Sequence, residues 1–168
     1  MVFIDPDSGL EIRAISPSER NAIEDIVHAA MREDRIDTAL AAMAGLPDQL
    51  VFAAFLAGKL VATYALRREG MANDLAVIAV VPASQRRGIG RALLQDALRR
   101  SGRRPLTAQT PEEVLPFFKA CGFKMVGRRP QPSGEVQYRV GWHTPGAKFK
   151  GGTTSALDHR GIERDDQS

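Results

Sequence analysis

The chain has 168 residues, 43% hydrophobic and 26% charged, which suits one globular domain and falls short of two. Its one cysteine, Cys121, excludes an intramolecular disulfide and suits a reducing cytoplasm, and His28, His143 and His159 are too dispersed for a metal-ligand pattern. The net charge of +3 is modest, no apolar run is long enough to cross a membrane, and Asp5, Pro6 and Asp7 cut the N-terminal apolar residues too early for a secretory leader.

Residues 1–10 read as an extension ahead of the first strand, expected over 11–15. Ser16, Pro17, Ser18 and Glu19 then have the form of a capping box, with Ser16 as cap and Glu19 as its reciprocal acceptor. Ile23, Ile26, Val27 and Ala30 fall on one face of the helix that follows. Ile36, Leu40 and Met43 predict a second short helix that stops near Gly45 and Pro47. Residues 50–56 and 60–66 are apolar runs joined by Ala57, Gly58 and Lys59, a predicted hairpin. Residues 67–73 are polar and read as a turn. Residues 75–81 are apolar and β-branched, as in a strand covered on both faces.

A polar, basic loop comes next: Val80-Val81-Pro82-Ala83-Ser84-Gln85-Arg86-Arg87-Gly88-Ile89-Gly90-Arg91. It leads from a strand into an amphipathic helix over 88–101, with Ile89, Leu93, Ala97 and Leu98 inward and Arg91, Gln95 and Arg99 outward. That order of parts makes a phosphate site, because the first N–H groups of a helix lack intrahelical acceptors and sit at the positive end of its dipole. Gly88 and Gly90 let a bulky diphosphate approach, and Arg86, Arg87 and Arg91 add charge.

Gly102 ends the helix and 105–109 read as a brief strand. Thr110 as N-cap, Pro111 at the first helical position and Glu113 three residues after the cap predict another helix, with Pro116 as an internal kink and Gly122 as its stop. Residues 124–126 then read as a strand, and 135–142 alternate with Val136, Tyr138, Val140 and Trp142 on one side. Residues 144–168 are rich in Gly, Thr, Ser and charge and read as a flexible tail or an arm over a neighbour.

Two of these segments resemble the GNAT acetyltransferase superfamily. Gln85-Arg86-Arg87-Gly88-Ile89-Gly90 is similar to its pyrophosphate loop, Gln/Arg-x-x-Gly-x-Gly/Ala, and Phe117-Phe118-Lys119-Ala120-Cys121-Gly122-Phe123 to its last helix, Phe-Tyr-x-x-x-Gly-Phe. The resemblance covers residues 11–142, with the domain drawn as 11–143. It implies an α/β (α+β) fold with a central mixed, mostly antiparallel sheet of about seven strands and about four helices. It implies acetyl-coenzyme A as co-substrate, an amine as acceptor, and a homodimer as the default assembly. The donor would contact Ile78, Val80, Gln85, Arg86, Arg87, Gly88, Ile89, Gly90, Arg91 and Phe118, with a main-chain N–H near the end of the 78–80 strand facing the developing oxyanion. The two helices predicted between Ser16 and Gly45 would border the acceptor.

The pattern departs from the family at the acid. Phe118 stands where members often have the Tyr that protonates the leaving thiolate, and Pro111 aligns with a frequent Asn. Asp74, at the mouth of the cofactor strand, is the candidate for accepting the amine proton, against its reading as a turn residue beside Asn73. Glu69 has the same two readings. Tyr64 and Tyr138 either reach the cleft or are buried with satisfied hydroxyls, Cys121 is either near the thioester or an inert core residue, and His143 reads as surface. A coenzyme A-binding protein without turnover is the alternative. Seven arginines between 86 and 104, against the single acid Asp96, raise a nucleic-acid reading, but without aromatic interleaving a basic coenzyme A pocket accounts for them and no nucleic-acid partner is expected.

Overall fold

The structure is a computed structural model that describes residues 2–4 and 8–142, so His143 and the 144–168 segment lie outside the described residues. In chain order the elements are β1 (Phe3–Ile4), β2 (Leu10–Ala14), α1 (Arg20–Ala30), α2 (Glu33–Ala44), β3 (Val51–Leu56), β4 (Lys59–Glu69), β5 (Ala72–Val80), α3 (Ile89–Ser101), β6 (Leu106–Pro111), α4 (Leu115–Ala120), β7 (Lys124–Pro130) and β8 (Val136–Trp142). The strands form one sheet in the order β1-β2-β3-β4-β5-β6-β8-β7. The strand beyond the expected seven is β1, inside the presumed extension, which pairs antiparallel with β2 through Phe3 opposite Ile12. Contacts divide the described residues into two compact units. The first takes those before Arg68 together with Leu75–Ala97, and the second takes Arg68–Asp74 together with those after Ala97.

In the first unit the sheet is covered on both faces. Val51 and Ala53 of β3, Ala65 of β4 and Val77 of β5 form one core with Ile23 and Val27 of α1 and Ala39 and Met43 of α2. Their neighbours along the strands point the other way, where Phe52 stacks on Tyr64 at 4.7 Å and the Tyr64 hydroxyl donates to Asp96 of α3 at 2.6 Å. The β3–β4 connection is shorter than expected. Ala57 (φ 51°) and Gly58 (φ 78°) make a two-residue turn with both centres left-handed, and Lys59 already belongs to β4. Ahead of α1, the Glu19 carboxylate accepts the Ser16 N–H at 2.8 Å, but Pro17–Glu19 form a 3-10 turn and the α-helix starts only at Arg20. Arg20 reaches back across the layer. Its Nε donates to Asp48 at 2.8 Å, Nη1 to the Met43 carbonyl at 2.8 Å and Nη2 to the Leu46 carbonyl, closing the end of α2.

In the second unit β8 pairs with β6 from Leu106 opposite Trp142 through Pro111 opposite Gln137, and with β7 on its other side. That pairing overrides the capping signature. Thr110 and Pro111 stay in β6, residues Glu112–Val114 form a 3-10 turn, and α4 begins at Leu115. Pro116 therefore occupies the first turn of α4, where a missing N–H costs no helical hydrogen bond, and the kink expected of it does not arise. Gly122 (φ 100°) stops α4 as read, with the Phe123 N–H returning to the Phe118 carbonyl at 3.0 Å. The turn between β4 and β5 is only Gly70 and Met71 rather than residues 67–73, and its Gly70 carbonyl accepts from Arg104 at 3.0 Å. Among the described residues no helix is long and apolar enough to cross a membrane.

Candidate active site

The loop after β5 is built as a backbone cradle. Pro82–Ser84 make a 3-10 turn, then Arg86 (φ 64°) and Gly88 (φ 79°) both take left-handed conformations before α3 begins at Ile89. The Gly88 carbonyl accepts the Ala92 N–H at 3.0 Å, so helix geometry leaves the N–H groups of Ile89, Gly90 and Arg91 without intrahelical acceptors. No acidic residue occupies the first turn of α3. A Cβ at Gly88 would find no heavy atom within 4 Å, and Arg86, Arg87, Gly88 and Arg91 are all exposed. The residues thus fit a diphosphate: open space, main-chain donors, the positive end of a thirteen-residue helix and three guanidinium groups.

Gln85 ties this loop to the strand before it, its Nε2 donating to the Val80 carbonyl at 3.0 Å. Val81 donates its N–H to the Val61 carbonyl of β4 at 2.9 Å, so the preceding peptide turns the Val80 carbonyl, and with it the Val80 N–H, to the edge away from β4. Asn73, eight residues earlier, donates its N–H to Pro105 at 2.9 Å. An unbroken strand would send both N–H groups to one edge, and here they leave from opposite edges, so β5 carries a bulge between them. Burial locates the break: Asn73, Asp74 and Leu75 are buried in succession, and from Leu75 onward buried residues alternate with half-buried Ala76, Ile78 and Val80. Ile78 and Val80 therefore share a face and an edge.

Asp74 does not stand at an open mouth. It is 4% exposed, and Oδ1 accepts the Thr107 hydroxyl at 3.0 Å. Around it lie Asn73, Ser101 and Thr107, all buried, with the Asn73 amide donating to Ser101 at 3.1 Å and Arg139 donating to Thr107 at 3.5 Å. The Asn73 side-chain oxygen is buried without a partner, a place that suits a water molecule. The reading of Asp74 and Asn73 as turn residues is corrected by this: both lie inside β5. Glu69 closes β4 and is exposed.

Phe118 is 2% exposed, edge-on to Phe117 (5.3 Å) and Phe123 (5.4 Å), and Phe123 in turn meets Trp142 at 5.8 Å. An aromatic row of this kind leaves little of the Phe118 ring for a ligand to touch. Tyr64 is buried with its hydroxyl on Asp96, the second of its two readings, and Cys121 is fully buried. Tyr138 is half-buried in β8. Sequence reasoning missed Thr107, Ser101 and Arg139. A threonine inside the apolar stretch of β6 is the only signal that pointed to the first, and nothing local marks the others. Among the described residues no group of three or more His, Cys, Asp or Glu side chains could hold a metal ion.

The model of the acetyltransferase (GNAT) domain family matches residues 15–136. The chain belongs to that family. It is an acyltransferase, and acetyl-coenzyme A is its co-substrate. Solved structures with the same fold include the ribosomal-protein-S18-alanine N-acetyltransferase of Escherichia coli (22% identity, 79% of this chain and 92% of that one, TM-score 0.61). The paia N-acetyltransferase of Thermoplasma acidophilum, in complex with coenzyme A, matches at 15% identity over 79% and 99% of the chains, with a TM-score of 0.61. Arabidopsis thaliana Naa50, in complex with the bisubstrate analogue CoA-Ac-MVNAL, matches at 16% identity over 79% and 97%, with a TM-score of 0.58. Against an acetyltransferase-fold chain from Pyrococcus horikoshii (18% identity, 71% of this chain, TM-score 0.60) the protein spans 45% of the other chain's length.

Proposed function

We propose that this GNAT acetyltransferase carries the acetyl group of acetyl-coenzyme A to the primary amine of an acceptor by direct attack in a ternary complex. The observation that carries the reading is the loop over 85–90: two left-handed residues, Arg86 and Gly88, and an α3 N-terminus without acidic neighbours make a diphosphate cradle at the end of β5. The donor supplies an activated thioester carbonyl. The chain supplies three things. Gln85, Arg86, Arg87, Gly88, Ile89, Gly90 and Arg91 hold the diphosphate. The N–H groups of Ile78 and Val80, at the edge of β5 away from β4, serve the pantetheine arm and the developing oxyanion, a donor of this kind being worth ~10²-fold in rate. Asp74, buried at 4% exposure, accepts through a water molecule the proton that the amine loses as its nitrogen–carbon bond forms and the carbon–sulfur bond breaks. Phe118 has no proton to give, so the thiolate departs unprotonated and takes a proton from solvent.

The amine class of the acceptor is supported by the relatives, whose printed names are those of N-acetyltransferases. The test is coenzyme A thiol release with a panel of a free-amino-terminal peptide (Met-Val-Asn-Ala-Leu), spermidine and free lysine. Turnover on any of them, with acetylation of the amine seen by mass spectrometry, supports the reading. Tight coenzyme A binding without turnover on any amine favours the non-catalytic binding protein instead, and absence of coenzyme A affinity removes the site.

A further inference from the structure

We infer that Thr107 is a positioning residue for the reaction: its hydroxyl, oriented by Arg139, fixes the Asp74 carboxylate as proton acceptor. The inference rests on the role proposed above for Asp74. A hydroxyl has one proton to give. The Thr107 Oγ lies 3.0 Å from Asp74 Oδ1 and 3.5 Å from the Asn73 carbonyl, so the shorter contact to the carboxylate takes the proton. Arg139 Nη2 donates to the same Oγ at 3.5 Å, which occupies a lone pair and turns the O–H toward Asp74. The result is a directed chain, guanidinium to hydroxyl to carboxylate, with a positive charge at one end and the base at the other.

The register explains how Arg139 gets there. Thr107 of β6 stands opposite Gly141 of β8, and Arg139 is opposite Gln109, one diagonal step away. Glycine at 141 places no side chain over Thr107, so Arg139 leans across that position. Both Asp74 (4% exposed) and Thr107 (3%) are buried, whereas Arg139 is exposed and brings its charge from the solvent side. A carboxylate shut away to this degree needs fixed partners to satisfy its oxygens and to keep one orientation. The bulge in β5 beside Asp74 is the backbone counterpart of the same requirement, since it re-aims a side chain that regular pleating would direct elsewhere.

The experiment compares Thr107→Val, which keeps shape and removes the hydroxyl, with Thr107→Ser, which keeps it. On the panel amine with the fastest turnover, Thr107→Val is expected to lose ~10-fold in kcat with KM for acetyl-coenzyme A unchanged, and Thr107→Ser to recover to within ~2-fold of wild type. Asp74→Asn is expected to lose ~10²-fold, and adding Thr107→Val to it should cost nothing more, because the positioning acts only through the carboxylate. Asp74→Asn at the wild-type rate overturns the role of Asp74 itself. A slow Asp74→Asn with Thr107→Val at the wild-type rate, or with losses that multiply in the double variant, overturns the role of Thr107 alone. Should no amine of the panel turn over, the crystal structure of Thr107→Val decides: a rotated Asp74 carboxylate supports the inference, and an unmoved one overturns it.

Discussion

Replacing Gly88 by alanine separates what the loop costs the fold from what it gives the ligand. Gly88 has φ 79°, a left-handed conformation that an alanine enters at a cost of ~1–2 kcal/mol. Alanine also stiffens the unfolded chain, which returns ~0.4–1 kcal/mol, so the net loss is about 0.5–1 kcal/mol. For a chain of this size that lowers the melting midpoint by ~1–4 °C. No steric term is added, because the new Cβ meets no heavy atom within 4 Å. The same methyl group stands where a diphosphate would approach the N–H groups of α3. Displacing it from one charge-assisted hydrogen bond, ~1.5–3 kcal/mol, weakens acetyl-coenzyme A by roughly 10- to 100-fold. Gly102 is the control, since it is also left-handed (φ 61°) with open space around its absent Cβ, but it closes the far end of α3. Gly102→Ala should show the same thermal loss with affinity unchanged. Thermal unfolding of the free proteins and titration calorimetry with coenzyme A give both numbers. Equal affinity for Gly88→Ala and wild type would refute the placing of the diphosphate at this turn.

Acid should weaken the junction ahead of α1. The Arg13 guanidinium, and after it the Ser16 N–H, hold the Glu19 carboxyl down to about 2 from its usual 4.5. Its stabilisation is complete above that usual value and is lost as pH falls from about 4.5 toward about 2. With the side chain 22% exposed, solvent screening leaves ~1–2 kcal/mol. Glu19→Gln should therefore lose that much at pH 7 and converge with wild type near pH 2, as read by chemical denaturation. Arg20→Ala leaves the Met43 and Leu46 carbonyls and Asp48 without their shared donor, and is expected to cost ~2 kcal/mol, with Arg20→Lys recovering less than half because one ammonium cannot span three acceptors. Phe118→Tyr restores the family's tyrosine on paper, but the ring is 2% exposed between Phe117 and Phe123. An unpartnered hydroxyl there should destabilise by ~1–3 kcal/mol without raising kcat, and a faster enzyme would contradict the burial argument.

Local signals were legible in the sequence wherever local forces decide. Ile23, Ile26 and Val27 mark the buried face of α1, Gly102 and Gly122 mark helix stops, and Gly88 marks the left-handed turn that enters α3, because periodicity and φ preferences act over a few residues. Where distant partners decide, the reading failed. Thr110, Pro111 and Glu113 spell a helix start, but pairing with Tyr138 and Gln137 across β8 holds the first two in a strand. Asn73 and Asp74 look like turn residues by composition, and only the hydrogen bonds that Asn73 donates to Ser101 and Asp74 accepts from Thr107, some thirty positions along the chain, account for their burial. The Tyr64–Asp96 bond has the same character: neither residue announces the other in the sequence.

The single irregularity in β5 has a consequence for anyone redesigning this enzyme. Because the strand changes phase once between Asn73 and Val81, the number of residues along this stretch acts as a ruler with a fixed count. Deleting one residue there would restore regular pleating, so that the N–H groups on one side of the deletion would leave from the opposite edge of the strand. Substitutions along this stretch leave that phase intact, whereas changes of length do not.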